Sequence, residues 1–183
     1  MVTKTRWAAT AVTAMLSGAM TGCAVAEGTI GPLGFGVDAA IWRTGVHYCV
    51  PDSVLQEPYF LGERVRNPTG ESITLTGIEL VNPAGVELVA SGVAPVNPDA
   101  DGFMAGNRDL ADPEMPWPQL SPEPLRYTVG AGEEVNLIVQ VEGDGLARPA
   151  SLDRLKLRYR TADNWEYTEF SGTDFTWVPT ASC

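Results

Sequence analysis

From residue 37 onward, apolar and polar positions alternate in short runs, and a period of two predicts strands where a period near 3.6 would predict helices. In EVNLIVQVEG, Val135, Leu137, Val139 and Val141 fall on one face, while Asn136, Gln140 and Glu142 fall on the other. A strand half-buried in an antiparallel sheet has this pattern. LDRLKLRYR repeats it, with Leu155, Leu157 and Tyr159 inward and Arg154, Lys156, Arg158 and Arg160 outward. In ITLTGIELV the apolar phase slips across Gly77, from Ile73 and Leu75 to Ile78 and Leu80, which predicts a bulge or bend. Further strands are expected over 39–42, 46–50, 59–66, 86–90, 165–170 and 175–178. The same alternation assigns Tyr59, Trp165 and Trp177 to the core.

Turn chemistry separates these runs: Asn67-Pro68-Thr69-Gly70, Asn82-Pro83-Ala84-Gly85, Gly130-Ala131-Gly132 and Gly143-Asp144-Gly145. Short strands with turns at this spacing predict an all-β fold, an antiparallel two-sheet sandwich of immunoglobulin-like type. A jelly roll or another Greek-key sandwich is the alternative.

The front of the chain has a different pattern. Lys4 and Arg6 precede an apolar run from Trp7 to Met20, then Thr21-Gly22-Cys23. At about 14 residues the run is shorter than the roughly 20 that span a bilayer as a helix, and the layout is that of an export signal. Ending on cysteine, it resembles the lipobox of bacterial lipoproteins, with Met20 where Leu is usual. That resemblance implies cleavage before Cys23, acylation of its thiol (a palmitate-type chain) and an anchor on the extracytoplasmic face of the cytoplasmic membrane. The expected organisation is a signal peptide over 1–22, a flexible Gly-rich tether over 23–36, and a β-sandwich over 37–183 that carries a long Pro-rich loop at 95–124.

Removal of residues 1–22 takes away Lys4 and Arg6 and no carboxylate, so the formal charge goes from −11 to −13. So acidic a surface repels nucleic acid and favours solubility, cations or basic partners. With Cys23 assigned to lipid, Cys49 and Cys183 form an even pair in an oxidising compartment and are expected to be bonded. The rival is a soft-metal site built on His47 and Cys49, which share one strand face. His47 is the only histidine.

The connection from Pro95 to Pro124 holds seven of the fourteen prolines. Such density forbids continuous ladders, and connections this long are functional or disordered. Within it, Asn97, Asp99 and Asp101, followed by Gly102, resemble the opening of a calcium loop; Arg108 stands where the bidentate Glu belongs, so a solvated acidic turn is the competing reading. No cofactor is expected, calcium at this turn being the exception. Met115 and Trp117, the latter between Pro116 and Pro118, form either a lid over the sandwich or an anchor for a partner or glycan. The outward row Arg154, Lys156, Arg158 and Arg160 would grip an anionic polymer or acidic partner, or else pair across strands with Glu142, Glu166 or Glu169.

Enzyme signatures are lacking: the sequence has no G-x-S-x-G, no H-E-x-x-H, no P-loop and no glycine fingerprint placed after a strand and before a helix. The runs NPTGESITLTGIELVNPAGVELV, YTVGAGEEVNLIVQVEG and LDRLKLRYRTADNWEYTEF, over about residues 60–178, resemble the extracellular immunoglobulin-like domains of actinobacterial lipoproteins. The resemblance implies a sandwich fold and no particular active site. The expected function is a non-enzymatic, lipid-anchored module that engages a protein or cell-wall component. The alternatives are a calcium- or carbohydrate-handling accessory domain and, last, a hydrolase.

Overall fold

In the computed structural model, residues 31–35, 46–96, 104–107, 119–144 and 149–179 are described. They form strands Gly34–Phe35 (β1), Val46–Pro51 (β2), Tyr59–Arg66 (β3), Ile73–Val81 (β4), Val86–Pro95 (β5), Met104–Asn107 (β6), Tyr127–Val129 (β7), Glu134–Gly143 (β8), Ala150–Leu152 (β9), Arg154–Arg160 (β10), Glu166–Phe170 (β11) and Thr173–Val178 (β12). One sheet has the order β1-β3-β8-β5, with β6 also against β3; a second has the order β11-β10-β4-β7. Both are antiparallel throughout. The chain is thus an all-β sandwich. A third sheet, β2-β12-β9, was not expected, and its β2–β12 pair is parallel. β9 runs into β10 across Asp153, and β11 into β12 across Ser171-Gly172, so the third sheet continues the second around a corner. At that corner Ser171 Oγ accepts the Leu155 N–H at 2.9 Å.

The core follows the alternation. Val135, Leu137, Val139 and Val141 of β8 face Leu155, Leu157 and Tyr159 of β10, all buried. The slip in β4 is a bulge: Arg158 pairs with Gly77 and Tyr159 with Leu75, leaving Thr76 over and returning Ile78 to the core. An aromatic column ties the third sheet to the first. Tyr48 stacks on Phe175 at 5.2 Å, Phe175 on Trp177 at 5.5 Å, and Trp177 meets Tyr59 edge-on at 5.9 Å.

Several boundaries move. β5 runs to Pro95 because β8 pairs with it along nearly its whole length. Trp165 is not a core residue: it is 68% exposed. It belongs to the β10–β11 turn, which closes through Thr161 N–H on the Trp165 carbonyl and places Asn164 at φ 67°, so alternation resumes only at Glu166. The tether expected over 23–36 ends early, since Leu33 and Phe35 are buried in the core and β1 pairs with β3. Gly31 is fixed by sterics as well, because a Cβ there would lie 1.7 Å from Tyr159 Oη. The strand expected over 39–42 lies outside the described residues.

The expected outcome for Phe35→Ala is a loss of about 3–5 kcal/mol in urea unfolding, the cost of emptying a core position. A true tether residue would show none.

Candidate functional site

The row on the outer face of β10 is spent largely within the chain. Glu79, on neighbouring β4, takes Arg158 Nη2 at 2.9 Å and Lys156 Nζ at 3.4 Å, and Glu166 takes Arg160. Arg154 has no ion pair among the described residues. Of the expected partners, Glu166 pairs with the row. Glu169 does not, because it points inward, and Glu142 lies in the other sheet, where Gln140 donates to it. Glu79 takes their place because the bulge at Thr76 turns it to the same face. Exposed pairs like these contribute about 0–1 kcal/mol each. The face is therefore largely neutralised by its own carboxylates.

Beside this row the sandwich is open. Gly77 has no side chain, and Arg158 lies over it: a Cβ at 77 would sit 2.9 Å from Nη2. The guanidinium thus reaches the edge of β4 and borders a groove lined by Ile78, Leu88, Ser91, Ser121 and Glu123. Neither edge here is covered by a continuous strand among the described residues. β7 covers β4 only at Ile73–Leu75, and β5 is the last strand of its sheet. Among the described residues the outer side of β5 makes one single bridge, Ser91 with Ser121 (N···O 3.0 Å both ways), and just ahead of the strand Ala84 makes another with Ser151 (2.9 and 2.7 Å). Between them Leu88 is 37% exposed, on the core-facing side of β5 in register with Val141. The groove holds about 200 Å³, below the roughly 300–1,000 Å³ of small-molecule sites. Its size and open edges suit a contact with a chain segment better than an enclosed ligand.

The titratable groups are structural in placement. His47 Nδ1 contacts Asp174 Oδ1 across the parallel β2–β12 pair, so its nearest carboxylate is a register neighbour. Among the described residues no group of three or more His, Cys, Asp or Glu could hold a metal. Tyr159 OH donates to Glu169 Oε1 at 2.5 Å and accepts the Leu33 N–H at 3.4 Å. Burial raises both groups; the hydrogen bond to Glu169 raises the Tyr159 hydroxyl further, while bonds from Tyr159 and the Gly31 backbone oppose the rise at Glu169. Glu63 is 1% exposed, bonded to Thr173, with Oε1 unpartnered. Burial pushes its carboxyl up to about 7.

Cys23, Cys183, Met115, Trp117, Asn97, Asp99 and Asp101 lie outside the described residues. Cys49 stands in β2 in register with Thr176. Sequence reasoning missed Glu79, Leu88 and the groove. Gly77 was the visible signal, read as a bend and not as a passage for Arg158.

No family model matches the chain, and no curated protein does. Among solved structures it is similar to the ASH/PapD-like domain 7 of human CEP192, at 6% identity and TM-score 0.41, over 81% of this chain and 87% of that one. It is also similar to a family 123 glycoside hydrolase from Clostridium perfringens, at 6% identity and TM-score 0.40, over 82% of this chain and 28% of that one. Likenesses at this level carry nothing about function.

Glu63 gives a pH dependence. Unfolded, it releases its proton near 4.5; folded, near 7. Between those values the folded chain holds the extra proton, so stability falls as pH rises from about 4.5 to about 7 and then levels off. That interval corresponds to about 3 kcal/mol. Urea midpoints from pH 4.5 to 8 should show the decline in the parent chain and a much flatter profile in Glu63→Gln. Glu169, raised in the same direction, supplies the residual slope.

Proposed function

We propose that this protein is a lipid-anchored, extracytoplasmic, non-enzymatic binding module that engages a protein or cell-envelope component through the groove between β4 and β5. The edge of β5 beside exposed Leu88, which no continuous strand covers among the described residues, is the observation that carries this reading. The acidic balance of the chain, −11 overall, fits partners that are neutral or basic and disfavours nucleic acid. The basic row is the weaker candidate, because Glu79 and Glu166 already answer three of its four cations.

The anchor belongs to the same reading. Lys4, Arg6, the apolar run and Cys23 support export, cleavage and acylation. A Cys49–Cys183 bond is supported by register: Val178 lies opposite Pro51, two residues past Cys49, and Cys183 is five residues further on. Five residues reach about 17 Å, enough to turn back to the 4.4–6.8 Å Cα separation that a disulfide needs.

A calcium- or carbohydrate-handling role is the second reading, and exposed Trp165 is what favours its sugar branch, since a bare indole face can stack on a pyranose ring. Quenching or shift of Trp fluorescence by cell-wall oligosaccharides, abolished in Trp165→Ala, would support that branch over the groove.

Two measurements test the main reading. Intact mass of the chain from membranes should begin at Cys23 with added acyl mass, and reduction should add two hydrogens per bond opened; an unmodified leader would remove the anchor from the account. A photo-reactive residue at position 88 should give a discrete adduct in intact cells, competed by the soluble domain, while the same residue at Thr128 should not. Adducts at 128 and none at 88 would move the binding surface off the groove.

A further inference from the structure

Resting on the groove reading above, we infer that its occupant is an extended strand of another protein, added to the edge of β5 and carrying alternating apolar and basic side chains. The backbone directions come first. Ala84 and Ser91 both present N–H and C=O to the outer side, as their bridges to Ser151 and Ser121 show. They are seven residues apart, an odd number, which the period of two forbids in an unbroken strand. The bulge at Val89, between Leu88 and Ala90, restores the phase. Gly85 turns its carbonyl the other way, to Asp144 N–H at 3.1 Å, so Val86 and Leu88 point outward with Ala84. β5 therefore offers a short antiparallel or parallel docking edge whose two ends are already occupied. The Ser121 arm makes one bridge pair and departs at Pro122, whose ring nitrogen has no hydrogen to donate.

Side-chain chemistry then selects the occupant. An added strand shows alternate residues to opposite faces. On the core-facing side they would meet Leu88, Ile78 and Leu125, which calls for apolar groups. On the other side stand Glu87 and Glu142, directly opposite each other in register. Like charges so placed repel unless a cation joins them. Glu123 adds a third carboxylate at the rim, while Arg158 is already held by Glu79. A second copy of this chain would set the same carboxylates against their equivalents, on a molecule of net charge −11. A partner segment with Lys or Arg at every second position answers both faces.

The probe is the synthetic peptide Lys-Val-Lys-Val-Lys-Val, titrated into the isotope-labelled soluble domain and followed by amide shifts and amide exchange. Expected are changes confined to Gly77–Ile78, Val86–Ser91 and Ser121–Leu125, with slowed exchange at Val86 and Leu88. The Glu-for-Lys peptide should give none, and the double variant Glu87→Lys/Glu123→Lys should weaken binding at least about fivefold, the scale of two rim pairs. Two isomeric peptides, N-methylated at alternate residues, leave the protein untouched: methylation on one set should abolish binding and on the other leave it. Equal binding of both isomers would overturn strand addition while leaving the groove as a side-chain site. Changes at Val86–Leu88 that grow with protein concentration alone would assign the edge to a second copy and overturn the inference. No response to the basic peptide, with position 88 still forming adducts in cells, would overturn it without touching the groove reading.

Discussion

The structure rests on one phase relation: the apolar faces of β8 and β10 must oppose each other across the sandwich. A strand's side chains alternate strictly, so a one-residue slip of β10 would send Leu157 into solvent and Lys156 or Arg158 into the core. Two interruptions are tolerated because each restores the phase. Thr76 drops out of the β4 ladder and returns Ile78 to the interior; Val89 does the same for β5 between Leu88 and Ala90. Both bulges also shape the surface, the first aiming Glu79 at the basic row and the second letting Ala84 and Ser91 both present their backbone to the outer side. Packing and surface chemistry thus share the same two irregularities.

Polar groups inside the sandwich are placed to join segments. Asn67, fully buried, spans two turns: its Nδ2 donates to the carbonyls of Glu71, Val129 and Gly130, and its Oδ1 accepts from the Thr69 backbone N–H and hydroxyl. A buried amide is tolerable when its hydrogen-bonding capacity is so fully used. The Tyr159–Glu169 pair does comparable work for the chain's front, holding Gly31 and Leu33 against the second sheet. Glu63 has no such compensation at Oε1, and its raised affinity for a proton is the physical response to that burial.

Much of this was legible in the sequence. Strand existence, the inward faces of β8 and β10, the break at Gly77 and the turns at Asn67 and Asn82 follow from short-range periodicity and turn chemistry. The failures have a common cause, which is that local pattern does not encode which strands meet. Trp165 continues the alternation of β11 on paper, yet the turn needs its carbonyl for Thr161. Leu33 and Phe35 look like tether residues among glycines, and only pairing with Arg66 and Val65 makes them core. The parallel β2–β12 pair joins residues about 130 apart. Leu88 and Ser121 become neighbours of one groove only through the order of strands.

That same β2–β12 pairing bears on how the protein folds. β12 is the last strand in chain order among the described residues, yet it is the central strand of its sheet, with β2 on one side and β9 on the other. Trp177, which closes the aromatic column, arrives with it. Contacts of such long sequence separation form slowly, because loop-closure entropy is lost before they reward it. The third sheet is therefore the part of the fold whose closure is slowest: until β12 docks, that layer has no middle strand, Tyr48 has no Phe175 to stack on, and Tyr59 has no Trp177 edge against it.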